Sequence, residues 1–567
     1  MKKLINDVSA VVPDMLEGLV ALNPQLLLLQ GGTIVVRADA EAVAARGEVA
    51  LISGGGSGHE PAHGGYVGQG MLSAAVAGEV FTSPSTDAVL DAIRAVAGPA
   101  GVLLIVKNYT GDRFNFGLAA EIARAEGIPV DMVIVADDVA LTASGDHAGR
   151  RGLAGTVLVH KIAGAAAARG LPLAAVAKLA REAAASLGTM GVALTACTVP
   201  AAGKPGFELA DREIEWGLGI HGEPGVARGA LEPANAIVGK LLAKIAGDLA
   251  LRPGERVALL VNNLGGTPSS ELSVVAGAAL RELDRRGIKV ERAWAGTFLS
   301  ALEMAGVSLT LLRVDDERLS LLDAVAQTSA WPTLSGHVAQ VSVRAAPAAP
   351  PRASGATLAR EATLRRVINA VCACLLEAES KLTEMDQRVG DGDLGISLAR
   401  GARAVLQELD TYASETTPGA VLRSISATLR RVVGGTSGPL YAVMLLRAAA
   451  ALEQSGETSA KQWATAFSAG VDALMELGGA KPGDRTMIDA LKPAADALQN
   501  ALAQSAPPQT ALQVAVDVAS EGASRTASMH PRRGRSSYVG ERALGHVDPG
   551  AHAVALWLAA IHGALTG

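Results

Sequence analysis

One short segment constrains this chain more than any other. Val343–Gly355 reads VRAAPAAPPRASG, rich in Pro and Ala and with neither helical nor strand periodicity. It is expected to be a semi-rigid interdomain linker, because prolines hold such a segment extended. The two sides of it have different hydrophobic patterns. Before it, aliphatic runs at Val49–Ile52, Gly101–Val106, Val130–Ala136, Ala258–Val261 and Val290–Ala295 alternate with helical stretches such as Asp87–Val96, Phe116–Glu126, Leu171–Leu187 and Ser270–Arg286. Strands alternating with helices predict an α/β architecture with largely buried sheets. Thr189–Thr198 is read as the opening of a second lobe, which gives lobes of about 1–183 and 184–340. After the linker no convincing strand occurs. Eight amphipathic runs (Leu358–Leu382, Ile396–Glu408, Pro418–Val433, Tyr441–Ser455, Ala460–Glu476, Met487–Gln504, Ala511–Arg525, Ala551–Ala564) predict a helical bundle or barrel. The expectation is a two-lobed α/β domain over 1–340, a linker over 341–358 and an all-α domain over 359–567.

Composition narrows the partners. The chain is 49% hydrophobic and 19% charged, which excludes a disordered polymer. Only 3% is aromatic, too little for a stacking platform for single-stranded nucleic acid. The net charge is −6 and no Lys/Arg block occurs, which argues against nucleic acid and anionic membranes. The three cysteines, Cys197, Cys372 and Cys374, cannot form a disulfide framework, so a reducing cytoplasmic setting is expected. The opening MKKLINDVSAVVPDMLEG has no apolar core of a secretory signal, and no apolar stretch reaches membrane-spanning length.

Three motifs in the α/β part carry chemistry. SGGGSGHEP at 53–61 follows the strand VALI, and consecutive glycines there are expected to turn the backbone and aim N–H groups at an anionic oxygen. A plain strand-to-helix turn is the alternative; a Walker A loop is excluded because no Gly-Lys-Ser/Thr follows. His59 at the loop mouth favours a ligand site. KNYTGD at 107–112 follows the strand GVLLIV, so Lys107 and Asp112 lie beyond a strand's carboxyl end, where α/β sheets bind ligands. Asp112 has a second reading as the N-cap of a helix starting near Asn115. In GLGIHGEPG at 217–225, glycines flank His221 and leave an approachable imidazole, a candidate nucleophile toward a carbonyl or a candidate ligand.

In the helical part, DQRVGDGDLG at 386–395 brings Asp386, Asp391 and Asp393 within eight residues, with Gly390, Gly392 and Gly395 expected to break the helix so that the carboxylates converge. Hard oxygen donors in this arrangement suit Mg²⁺ beside phosphate; the spacing is wrong for an EF-hand, and a solvated acidic loop is the alternative. GGTSGP at 434–439 offers hydroxyls and N–H groups at a helix start. GDRTM at 483–487 and the stretch from Gly534 to Gly550 are further glycine-punctuated loops between helices, able to gather at one end of a bundle.

The stretches SGGGSGHEPAHGGYVGQGML, VKNYTGDRFNFGLA, AGRRGLAGTVLVHKIAGA, ACTVPAAGKPGFELADREIEWGLGIHGEPG and LLVNNLGGT resemble the K domain of dihydroxyacetone (glycerone) kinases, and the four helical-part motifs resemble their nucleotide-binding L domain. The resemblance implies that His221 holds a short ketose as a covalent hemiaminal. It implies that His59 and Asp112 do acid–base work, and that Gly56, Ser57, Gly58 and Lys107 bind substrate oxygens. By the same resemblance Asp386, Asp391 and Asp393 ligate two Mg²⁺ ions on ATP. Leu394, Gly395, Ile396, Ser397, Thr436, Ser437, Met487, Arg535, Asp548, Pro549 and Gly550 would line the nucleotide. Leu394 and Ile396 stand where family members often carry polar residues. The implied activity is ATP-dependent phosphorylation of dihydroxyacetone, with glyceraldehyde or erythrulose as alternative substrates, in a homodimer. A phosphorelay component using bound ADP and an FAD-cyclising side activity are the other readings.

Overall fold

The computed structural model describes residues 2–31, 33–141, 149–223, 225–334, 336–344, 362–412, 417–455, 459–533 and 536–566. The chain forms two compact units, Met1–Arg344 and Ala345–Gly567. From residue 345 onward the expected linker lies outside the described residues.

The first unit holds two six-stranded sheets. The first is built from β1 (Leu26–Leu28), β2 (Ile34–Arg37), β3 (Ala50–Ser57), β4 (Ala74–Val80), β5 (Val102–Lys107) and β6 (Val130–Val135). Its order is β1-β2-β4-β3-β5-β6, and β4, β3, β5 and β6 run parallel. β5 shows why these strands read as unbroken apolar runs. Val102, Leu104 and Val106 pack with the helices Thr86–Val96 and Thr110–Ala125 on one face. Leu103 and Ile105 pack on the other face with the helices Thr156–Ala168 and Leu173–Ala185. A strand covered on both faces has no reason to alternate. The second sheet comprises β7 (Leu187–Ala193), β8 (Glu213–Trp216), β9 (Ala227–Ala230), β10 (Arg256–Asn263), β11 (Lys289–Gly296) and β12 (Gly306–Arg313), in the order β11-β10-β12-β7-β8-β9. Only β10 and β11 pair in parallel there.

The Gly-rich run departs from the expected turn. Gly54, Gly55 and Gly56 continue β3, and pairing with β4 runs on to Ser57 across a register shift. The glycines leave room. A Cβ on Gly54 would lie 2.3 Å from the Val76 carbonyl oxygen, one on Gly55 2.6 Å from Lys107 Nζ, and one on Gly56 2.6 Å from the Thr82 nitrogen.

In the second unit Ala362–Glu377 and Glu379–Val389 replace the single first helix expected from the sequence. Leu394–Tyr412, Pro418–Val432, Ser437–Ser455, Ala460–Gly478, Ile488–Ala503, Pro508–Arg525 and Pro549–Thr566 follow. Consecutive members of this series pack side by side, and Pro549–Thr566 packs back on Ala362–Glu377. That closes a helical barrel, with the short helix Glu379–Val389 attached beside Leu394–Tyr412. Pro418 sits at a helix start, where its missing N–H costs nothing, behind a Thr417 cap. No helix among the described residues is long and apolar enough to cross a membrane.

Candidate active site

The carboxyl ends of β3 and β5 deliver His59, Lys107 and Asp112, while the loop after β8 delivers His221. The structure brings these four together. The His59 ring stacks on Phe81 with centroids 5.1 Å apart and meets the His221 ring edge-on at 4.8 Å. Tyr109 and Phe81 close around His221 at 4.5 and 5.4 Å. His59 Nδ1 lies 2.9 Å from the Ser300 carbonyl oxygen, which fixes the proton on Nδ1. Its Nε2 is buried without a protein partner and keeps its lone pair.

Burial sets the charges. It pushes His59 well below the usual imidazole range, helped by Lys107 and His221. It lowers His221 to about 4, against the opposing pull of Glu223. Both imidazoles are therefore neutral at physiological pH, the form that offers a lone pair. Burial also lowers Lys107, and the Asp112 and Glu60 carboxylates counteract it. It raises Asp112, countered by Lys107 and by the hydrogen bond from Ser83 Oγ. Asp112 is not the cap of a helix starting near Asn115: the helix begins at Thr110, and Asp112 lies in its first turn and accepts from Ser83.

Two expected substrate contacts are otherwise engaged. Ser57 Oγ donates to the Gly78 carbonyl, and the Gly58 N–H donates to the Glu60 carboxylate at 3.0 Å. Gly56 packs against Phe81 and Thr82, so the run is a strand end and not an anion nest. Other groups shape the pocket that the motif reading passed over. Arg151 donates to Asp138 at 2.7 Å and to the Gly217 carbonyl at 2.8 Å, and Glu223 accepts the His221 N–H at 2.8 Å. Arg151, Tyr109 and Glu223 lie inside the quoted motifs; Phe81 follows β4 with no local signal. A cavity of about 590 Å³ opens between the helix Val11–Ala21 and Gly55–Gly65; Gly56, Ser57 and His63 line it, and His59, Lys107, Asp112 and His221 do not.

In the second unit the helix Glu379–Val389 ends at Gly390, and Asp386, Asp391 and Asp393 each present an oxygen within 4.8 Å of the others. Asp386 is buried and accepts the Leu394 N–H at 3.2 Å; Asp391 and Asp393 are exposed. Three convergent hard oxygens, two of them open to solvent, fit Mg²⁺ together with phosphate and water. Gly395 does not break the helix as expected. It lies in Leu394–Tyr412, where a Cβ would come 2.2 Å from the Glu379 carbonyl oxygen. Ile396 is 50% exposed, Leu394 packs with Leu382 and Leu398, and Ser397 is buried. Gly395 and Ile396 lie in the first turn of that helix, where backbone N–H groups suit a phosphate.

Thr436 precedes and Ser437 begins the helix Ser437–Ser455; one turn on, Tyr441 packs on the same cluster as Leu394 and close to Asp548. Asp548 caps the last helix through the Ala551 N–H at 2.8 Å. Burial pushes it up to about 6, with Asp489 and Asp386 adding to the rise. Pro549 opens that helix, and a Cβ on Gly550 would lie 3.5 Å from Met487 Cβ. The helix ends and adjoining residues that hold Asp386, Ser437, Met487 and Asp548 thus share one end of the barrel. Arg535 lies outside the described residues.

The Dak1 domain matches residues 17–330 and the DAK2 domain matches residues 388–563. The chain belongs to the dihydroxyacetone kinase family. It is 47% identical to the human triokinase/FMN cyclase, over 99% of this chain and 98% of that protein. It is 38% identical to the D-erythrulose kinase of Mycolicibacterium smegmatis, over 98% and 97% of the two chains. The crystal structure of the C. freundii dihydroxyacetone kinase in complex with AMP-PNP and Mg²⁺ superposes with a TM-score of 0.66 at 37% identity, covering 99% of each chain. In this chain an α/β domain with two sheets thus precedes an all-helical domain.

Proposed function

We propose that the chain is an ATP-dependent kinase for a short ketose, dihydroxyacetone first, with glyceraldehyde and erythrulose as alternatives. It would work as a cytoplasmic homodimer, with a ketose-binding domain over 1–340 and an ATP-binding domain over 359–567. The observation that carries this reading is the convergence of neutral His221 and His59 on the Lys107–Asp112 pair.

The neutral His221 ring adds a nitrogen lone pair to the ketose carbonyl carbon. The carbonyl π electrons move to oxygen, which takes up a proton, and the other ring nitrogen gives one up. His59, with Nε2 unpartnered and Nδ1 tied to Ser300, is poised to move that proton. Lys107 donates to substrate oxygens. Asp112 takes the proton of the terminal hydroxyl as it attacks. Burial, which raises Asp112, makes it a better base than an exposed aspartate. Asp386, Asp391 and Asp393 would hold two Mg²⁺ ions, which neutralise charge on the ATP phosphates. Leu394–Ser397, Thr436, Ser437, Met487 and Asp548–Gly550 would surround the nucleotide, with Arg535. Capture as a hemiaminal explains selectivity, because glycerol has no carbonyl to capture.

The test is reductive trapping with dihydroxyacetone followed by peptide mass spectrometry. The adduct should fall on the His221 peptide and be absent from His221→Ala, which should also lose ketose phosphorylation by several orders of magnitude. Full activity in His221→Ala would sink the covalent mechanism. The human relative's name motivates a side reading, release of a cyclic flavin phosphate from FAD, which chromatography of an FAD incubation would detect.

A further inference from the structure

Lys107 is fully buried at the end of β5. A buried ammonium needs acceptors for its protons, because it can only donate. Two carboxylates act on it, Asp112 from the helix after β5 and Glu60 from the segment after β3. The remaining titratable neighbours are imidazoles: His59 and His63 from the same segment, His160 from the helix Thr156–Ala168, and His221.

One of these imidazoles touches it. Lys107 Nζ lies 3.1 Å from His63 Nε2. His63 Nδ1 in turn lies 3.0 Å from His160 Nε2 and 3.3 Å from Ser53 Oγ. The Ser53 hydroxyl donates to the Ile105 carbonyl at 2.6 Å, so toward His63 it can only accept. These contacts fix the protons by elimination. The ammonium donates, so His63 Nε2 accepts. A neutral His63 then carries its proton on Nδ1 and donates toward His160 Nε2 and Ser53. His160 therefore carries its own proton on Nδ1, which is buried with no protein partner. Burial and the nearby ammonium both favour the neutral form of the two rings.

We propose that His63 and His160 are positioning residues, a buried pair of neutral imidazoles in the Nδ1–H tautomer that holds the Lys107 ammonium as a donor toward the ketose oxygens. His63 is the acceptor, and His160 locks its ring, since a ring held at one nitrogen alone could flip. An imidazole suits this place better than a carboxylate. It accepts a hydrogen bond without cancelling the positive charge, which stays available to Asp112 and to the substrate. The substrate part of this inference rests on the role proposed above for Lys107; the proton positions do not.

The test has two arms on the full chain. In ¹⁵N-histidine-labelled protein between pH 6 and 8, long-range ¹H–¹⁵N spectra should show His63 and His160 protonated on Nδ1 and bare on Nε2. A proton on His63 Nε2 would overturn the pair. The second arm compares His63→Leu, which cannot accept, with His63→Gln, whose amide oxygen can. His63→Leu should raise KM for dihydroxyacetone about tenfold or more, the scale of losing a hydrogen bond to a charged group, and leave KM for ATP unchanged. It should also move the alkaline limb of kcat/KM down by about one pH unit, because the charged lysine has lost an acceptor. His63→Gln should stay within about threefold of the parent on both measures. Equal kinetics for parent and His63→Leu would overturn the positioning role. If His63→Leu fails to fold, His160→Leu, which cannot accept from His63 Nδ1, gives the same comparison, with a smaller expected rise in KM; parental kinetics there would count against the pair. Lys107→Met separates the two readings. If it phosphorylates ketose as the parent does, the role of Lys107 fails, whatever the spectra show.

Discussion

At the scale of single residues, the position of His221 is decided by a side chain that does not touch it. Arg151 reaches Asp138 through Nε and the Gly217 carbonyl through Nη2, and its Nη1 lies 3.4 Å from Glu223, which holds the His221 N–H. One planar guanidinium thereby ties the 217–223 loop to the end of the first sheet. Lysine cannot reproduce this, having a single nitrogen where three directions are used. Both Arg151→Met and Arg151→Lys should cut the yield of reductive trapping about tenfold or more, by misplacing the nucleophile. Charge adds a second signature in the methionine variant. Arg151 contributes to lowering His221, which lies at about 4, and Glu223 opposes it. Removing the guanidinium leaves only burial and Lys107 to oppose Glu223, so His221 gains its proton at higher pH. The acid limb of trapping should therefore start near pH 4 in the parent and move upward in Arg151→Met. An unmoved limb with normal yield would show that the clamp does not govern the nucleophile.

Among the elements, the helix Thr156–Ala168 shows most clearly where sequence reading stops. Every residue from Thr156 to Ala167 is buried, Thr156, His160 and Lys161 included, so TVLVHKIAGAAAA has no exposed face and no period to detect. A helix buried all round makes sense only between two covered surfaces, and that is a fact of tertiary structure. It packs among Leu51 and Leu103 of the first sheet and Ala258 and Leu260 of the second. Close approach depends on Gly164, where a Cβ would lie 2.4 Å from both the Gly70 carbonyl oxygen and Met71 Cα. These are backbone-borne atoms that no rotamer can move. Gly164→Ala should therefore destabilise the first unit by about 1–3 kcal/mol, the cost of overpacking, read as a lower urea midpoint. A midpoint equal to the parent's would mean that the two backbones separate at no cost. The same limit applies to the glycine runs. Glycine was legible at 54–56 and at 395, but its use was not: a turn and a crowded strand ask for the same residue. His59 and His221 were legible because they stand as ionisable residues among glycines, although the fold buries His59 fully and His221 largely. Phe81, which closes their pocket, has an ordinary sequence context.

For the whole molecule, the decisive property is that each unit has its own cores. Leu104, Leu103 and Leu259 anchor three separate clusters in the first unit. Leu491 and Val405 anchor two in the second, whose helical ring closes without help from outside. Buried apolar surface of this kind is the main driving force for folding, so the two halves of the proposed reaction should be separable. Residues 1–344 expressed alone should fold and give the His221 adduct with dihydroxyacetone, with no nucleotide present. Residues 362–567 alone should fold and bind ATP in the presence of Mg²⁺. Asp393→Asn in that fragment should abolish the Mg²⁺ dependence, since one of the three convergent carboxylate groups becomes a neutral amide. Neither fragment should phosphorylate ketose by itself. Mixing them should restore turnover that rises with fragment concentration, because the covalent link supplies an effective concentration near the millimolar range that free fragments must replace. Failure of residues 1–344 to form the adduct, once circular dichroism shows them folded, would mean that ketose capture requires the helical unit. The division of labour would then be wrong, even if the full-length chain remained an active kinase.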